Sequence, residues 1–384
     1  MANPASAGLI RAINDRAALD LLVERGPLSR AQLVAATGLS KQTVAELIDR
    51  LITAGLVREA GEGGHGTRGP SARVYGVAAE AAYVVGAEVK GTAVNASVAD
   101  IAGRIVAETT ARAEPGGTSV ELVRTTLAQA VAEAGVERGR LHAAVLGTPG
   151  MVDPRTGDIG FAWDLPAWHT GLPDQLKDDL GCQVVLENEV NLSAVAEHRI
   201  GAAQDRENFA LLALGYGAGM ASFLGGRLHR GEMGGAGEIG HLPLPESPAG
   251  PLPEPGQLYT GGYQGLVGGR ALIELAQRHG LPSGSAVEAI EAAPDDGGFL
   301  GELARRIALG VTSVCAVLDP GVIVLTGSVG RAAGERIAAQ IEEAAARTSP
   351  LRVEIRSSSV PGNPVLAGAV LTALDRTRDA VFGP

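Results

Sequence analysis

The chain reads as an α/β protein, with an N-terminal winged helix-turn-helix followed by two α/β lobes. Three observations predict this. Residues 1–75 show a helix, a Gly-containing turn and a second helix, followed by a Gly-rich hairpin. From residue 82 the pattern changes to short apolar strands alternating with helices, and that alternation is met twice. Two polar clusters, at 186–191 and 237–241, stand where apolar runs stop.

Composition bounds the function classes. The 384 residues are 45% hydrophobic and 20% charged, enough for two or three domains with substantial cores. No apolar run reaches the length of a membrane span. Arg11, Asp15, Arg16 and Asp20 interrupt the first apolar positions, against a signal peptide, so a cytoplasmic, nucleoid-associated location is expected. Cys182 and Cys315 offer neither a disulfide framework nor a metal-ligand spacing. The net charge is −11, unevenly spread: residues 1–75 hold nine Lys/Arg against seven Asp/Glu, while residues 76–384 hold 23 against 36. An acidic body repels nucleic acid, so any DNA contact belongs to the N-terminal part.

In that part, Asn14 or Asp15 reads as the cap of a first helix carrying Leu19, Leu22 and Val23. Ser29 with Gln32 makes a capping box for a short second helix. Ser40 caps a third, whose Val44, Leu47, Ile48 and Leu51 follow helical spacing. Ser40, Lys41, Gln42 and Thr43 lie at its start, off the apolar face, where a recognition helix meets base edges. Lys suits guanine and Gln suits adenine. Polar residues there also suit an ordinary solvated helix start. Two short strands flanking a Gly-rich loop then form a wing carrying His65, Arg68 and Arg73, with a linker as the alternative. An Arg on such a tip reaches a phosphate or a narrow minor groove.

In the body, strands are expected at 83–88, 92–99, 104–110 and 141–146, with a helix near 120–134. A buried strand at 184–186 runs into a helix at 191–199. A second set has strands at 208–214, 220–224 and 322–325, with helices near 270–278, 300–318 and 331–347. A final helix near 365–378 packs back on the first lobe. The implied domains are 1–75, then 80–190 with 363–384, then 191–362, the last assigned to dimerisation and the ligand pocket. Glycine-rich turns at 88–92, 215–219 and 326–328 can cradle phosphates, although Gly in hairpins usually only satisfies turn geometry. The clusters Leu186-Glu187-Asn188-Glu189-Val190-Asn191 and Gly237-Glu238-Ile239-Gly240-His241 supply donors and acceptors suited to a neutral polyol. One such cluster alone would be an ordinary strand-to-helix turn; two beside strands favour a small-molecule pocket in the crevice.

These residues resemble the repressor, open reading frame, kinase (ROK) family over almost the whole chain. Residues 26–30 and the helix at 40–51 are similar to the winged helix-turn-helix of its repressor branch. The resemblance implies an actin-like (ribonuclease H-like) two-lobed sugar-kinase fold closing around sugar and nucleotide. It also implies that Asn188, Glu189, Glu238 and His241 hydrogen-bond sugar hydroxyls, joined by Asp164 and by Gln264, which stands for the family's last sugar-contacting Glu. The kinase pattern is broken. Glu88 and Lys90 replace the first Asp and Gly of the phosphate turn, Glu189 replaces the general-base Asp, and Tyr216 replaces a Thr. A displaced carboxylate of this kind costs on the order of a hundredfold in rate. The family's zinc site pairs the pocket His with three cysteines, and here Pro255, Gln257 and Gly262 take their places. One imidazole does not hold zinc alone, so no zinc is expected, and no ATP. The resulting expectation is a sugar-responsive DNA-binding regulator, a repressor, that binds a pseudo-palindromic operator as a homodimer or tetramer and has no membrane partner. Its rivals are an ATP-dependent sugar kinase with an accessory DNA-binding domain, and a DNA-binding protein whose body serves only to dimerise.

Overall fold

The computed structural model describes residues 4–63, 72–114, 119–161, 171–249, 259–295 and 297–383. The N-terminal unit comprises α1 (Pro4–Arg25), β1 (Leu28–Ser29), α2 (Arg30–Thr37), α3 (Lys41–Thr53), β2 (Val57–Gly63) and β3 (Ala72–Val77). Ser29 and Gln32 form the reciprocal capping box expected for α2. Gly38, in the left-handed region at φ 70°, ends that helix and turns the chain into α3, which Ser40 caps through the Thr43 amide. β2 and β3 pair as the wing hairpin, and β1 adds to its edge.

One expectation fails here. α1 starts at Pro4, and neither Asn14 nor Asp15 caps it. The Asp15 carboxylate instead takes the Arg50 guanidinium of α3, 2.5 Å away. Its side chain is spent on a tertiary contact, so the helix runs on through it.

The first lobe follows. It has β4 (Tyr83–Lys90), β5 (Ala93–Asp100), β6 (Ile105–Arg112), α4 (Val120–Glu133) and β7 (Leu141–Thr148). A small hairpin, β8 (Met151–Val152) and β9 (Ile159–Phe161), precedes α5 (Leu172–Leu180) and β10 (Gln183–Asn188). The sheet order is β10-β7-β4-β5-β6, with β10, β7 and β4 parallel. α6 (Glu189–Ile200) leads to the second lobe: β11 (Phe209–Leu214), β12 (Ala218–Leu224), β13 (Arg227–His229), α7 (Gln264–Val267), α8 (Gly269–Arg278), α9 (Ala286–Ala292), α10 (Gly298–Leu318), β14 (Val322–Thr326), α11 (Gly327–Thr348) and β15 (Glu354–Ser357). Its sheet order is β13-β12-β11-β14-β15. α11 begins directly at the end of β14, four residues earlier than expected, so the turn at 326–328 is a helix start.

α12 (Pro364–Phe382) returns to the first lobe, packing on β4, β7 and α6. Gly368 permits this: a Cβ there would overlap the Leu192 carbonyl oxygen of α6. The core of the N-terminal unit is shared. Leu19, Leu47, Ile48 and Tyr75 pack in one cluster with Ile101 of the first lobe and Phe382 at the end of α12.

Candidate ligand cleft and DNA-reading face

Parallel register brings the C-terminal ends of three strands to one edge. Glu88 of β4 lies opposite Gly147 of β7, and Asn188 of β10 lies opposite Thr148. Across from them stand the β11–β12 turn and the start of α11. Between the two lobes lies a cavity of about 970 Å³. Asn188, Glu189, Glu238, His241 and Gln264 all line it. A smaller cavity of about 170 Å³ shares Tyr259 and Gln264 as walls.

The five residues are held differently. Asn188 caps α6: its Oδ1 accepts from the amides of Val190 (2.8 Å) and Asn191 (3.2 Å), and its Nδ2 donates to the Gly150 carbonyl (2.8 Å). Glu189 is the first residue of α6, at the positive end of the helix dipole. Glu238 is largely buried, and burial raises its pKa above the ordinary carboxylate value. Burial lowers the pKa of His241, whose ring stacks on Tyr259 with centroids 4.4 Å apart. At neutral pH this environment favours an uncharged imidazole, which offers one donor and one acceptor. Gln264 braces the glycine-rich turn: Oε1 accepts from the Ala218 amide (2.7 Å) and Nε2 donates to the Tyr216 carbonyl (3.3 Å). It shapes the cavity wall as well as facing it. Asp164 lies outside the described residues.

The backbone that presents Glu238 depends on Gly237. Its φ is +99°, and a Cβ would overlap the Met220 carbonyl oxygen. This close approach carries the Met220 amide to the Gly237 carbonyl, a 2.9 Å hydrogen bond.

At the candidate DNA-reading face, Lys41 and Gln42 are exposed on the first turn of α3. Gln42 donates to Glu46 one turn on (3.0 Å), and Thr43 exchanges a hydroxyl hydrogen bond with Ser40 (2.8 Å). Arg73 reaches across the wing to Glu59, 2.8 Å away. Arg68 and His65 lie outside the described residues.

Sequence reasoning missed Arg230 and Tyr259, and the partners of Glu187 and Glu88. Arg230, just after β13, donates to the buried Glu187 at 2.7 Å, joining the lobes beside Asn188. The same carboxylate accepts from the Asn188 amide and the Asn191 side chain. Glu88 is buried at the cleft edge, where Asn95 and Asn363 donate to it. Tyr259 had no signal beyond being aromatic.

An acidic-amide cleft between two kinase-like lobes, carrying a winged helix-turn-helix, defines the class, and comparison with known proteins gives the family. Residues 84–376 match the ROK family and residues 8–66 match the MarR family. The chain belongs to the ROK family and carries a MarR-type winged helix at its N-terminus. A ROK hexokinase from Thermus thermophilus is 31% identical, over 77% of this chain and 99% of its own, with a TM-score of 0.62. A ROK transcriptional regulator described as a homolog of the E. coli MLC protein shares the fold over 97% of this chain, with a TM-score of 0.73 at 20% identity. The xylose repressor of Bacillus subtilis is 27% identical over 240 residues, and that match spans 61% of each chain.

Proposed function

We propose that this chain is a sugar-responsive DNA-binding regulator that represses carbohydrate-utilisation genes from a pseudo-palindromic operator, as a homodimer. One observation carries the reading. α12 runs from the cleft to the DNA-reading unit as a single helix of 19 residues, roughly 28 Å long. At its start, Asn363, Pro364 and Val365 line the cavity, and Asn363 donates to Glu88 (2.6 Å). At its end, Asp379 and Phe382 meet Arg16 of α1, with an ion pair of 2.9 Å and the guanidinium 5.9 Å from the ring centroid. A sugar that binds two lobe arrangements with different affinity shifts this helix, and so the winged helix on its end.

In this reading Asn188, Glu189, Glu238 and His241 hold sugar hydroxyls, with Gln264 setting the turn that faces them. Lys41 and Gln42 read base edges, Thr43 a phosphate, and Arg73 the wing's phosphate contact, with Ser40 fixing the helix start. The protein acts in the cytoplasm and needs neither zinc nor ATP. The relatives support the sugar and the DNA: a xylose repressor and an N-acetylglucosamine repressor are among them.

The rival is an ATP-dependent sugar kinase, favoured by the 31% identity to a hexokinase. Against it stand Lys90 in the first phosphate turn, Glu189 in place of the base, and the exposed Tyr216 in the second turn. A coupled ADP-release assay over a hexose, pentose and N-acetylhexosamine panel tests the choice. Calorimetric sugar binding without turnover is expected; turnover at ordinary kinase rates, about 1–100 s⁻¹, overturns it.

A further inference from the structure

We infer that Lys90 is a tethered counter-ion for Glu88, and that this pair restricts the cleft to uncharged ligands, excluding phosphorylated sugars and magnesium-bound nucleotides alike. The inference rests on the sugar-cleft reading above and narrows it to one ligand class.

Glu88 is 1% exposed, and a buried carboxylate needs compensation. Its Oε2 accepts from Asn95 Nδ2 (2.8 Å) and Asn363 Nδ2 (2.6 Å). Its Oε1 meets the Lys90 ammonium at 2.7 Å, as an ion pair without hydrogen-bond alignment. An ammonium at that distance competes with a divalent cation for the same carboxylate oxygen. Both residues line the cavity, so the pair forms part of its wall.

A lysine in a phosphate turn invites the opposite reading, that it binds an anion. The geometry disfavours this. To serve a phosphate, Lys90 would have to leave a carboxylate that has no other cation within salt-bridge distance among the described residues. To serve both, it would place a phosphate beside Glu88, and like charges at such range repel. The remaining cavity charges do not help: Glu189 and Glu238 are acidic, and Arg331 is exposed at the rim, donating to the Gly362 carbonyl (2.8 Å). Water screens a rim charge of that kind. The lysine of the first phosphate turn is therefore already neutralised by the chain's own carboxylate.

The test uses the full chain and calorimetry with glucose, xylose and N-acetylglucosamine, glucose 6-phosphate and N-acetylglucosamine 6-phosphate, inorganic phosphate, and magnesium ATP. If no neutral sugar and no sugar phosphate binds, the sugar-cleft reading itself has failed. If a sugar binds, its phosphate is expected to bind at least about tenfold more weakly to the wild type. Glu88→Gln frees the ammonium and is expected to improve phosphate-ester affinity relative to the neutral sugar by about tenfold or more. Lys90→Met is expected to leave phosphate-ester binding as weak as before, and it serves alone if Glu88→Gln fails to fold. The inference is overturned if the wild type prefers the phosphate ester, binds magnesium ATP as tightly as the sugar, or loses an existing phosphate affinity in Lys90→Met.

Discussion

Replacing Arg16 by Ala removes the polar contacts between α12 and the winged helix, leaves their shared apolar core in place, and does not touch the cleft. Arg16 holds Asp379 at 2.9 Å and the Gly383 carbonyl at 3.2 Å, lies over the Phe382 ring, and pairs within its own helix with Asp20. Asp379 is 71% exposed, so its ion pair is screened and worth only about 0.2–1 kcal/mol. The cation–π contact adds about 0.5–1 kcal/mol. The polar contacts of the junction therefore carry roughly 1–2 kcal/mol, the size of a typical allosteric coupling energy. If the two lobe arrangements differ in this contact, its loss reduces the sugar's effect on operator affinity by about 5- to 30-fold. The assay is operator binding by fluorescence anisotropy with and without saturating sugar, alongside calorimetry of sugar alone. Sugar affinity without DNA should stay within about threefold of wild type, since Arg16 lies far from the cavity. Arg11→Ala, exposed on the same helix, is the control. An Arg16→Ala protein that retains the full sugar response refutes transmission through the Arg16 contacts.

Three further perturbations test the cleft. Arg230→Ala removes the cation from buried Glu187. Such losses cost about 3–5 kcal/mol when both partners are buried, but Arg230 is 42% exposed, so about 1–3 kcal/mol is expected in urea unfolding. A double-mutant cycle with Glu187→Gln should return most of it as coupling energy, and a near-zero coupling would disprove the link. Gly237→Ala forces a side chain into the left-handed region and into the Met220 carbonyl; the backbone term alone costs about 1–2 kcal/mol, and sugar binding should fall below detection in calorimetry. Glu238→Gln tests the electrostatics. Because burial raises the folded-state pKa of Glu238, its stabilising protonated form is complete below about 4.5 and is lost as pH rises through the folded pKa. The variant should therefore melt higher than wild type at pH 7, with the gain shrinking towards pH 4.5. An equal gain at both pH values contradicts the assignment.

The legibility of the chain followed the range of its interactions. The capping box of α2, the Ser40 cap of α3 and the apolar spacings of both are local, and they placed the helix-turn-helix within a residue or two. The start of α1 was misread because Asp15 serves Arg50, 35 residues away. β15 was missed: four residues on a sheet edge with one buried side chain leave almost no pattern. In the cleft, the Asn188 and His241 clusters stood out because each packs several polar groups into a few residues. Arg230–Glu187 and Asn363–Glu88 did not, since they join residues 43 and 275 apart. Gln264 was legible by position, but its hold on the Ala218 amide is visible only in three dimensions.

The measurement that bears most directly on the whole account is a reciprocal titration. Operator affinity is measured across a neutral-sugar panel, and the affinity for any active sugar is then measured with and without operator. The account predicts at least one sugar that changes operator affinity by about 5-fold or more, with operator changing that sugar's affinity by the same factor. A protein that binds operator and sugar independently, each indifferent to the other, would contradict it.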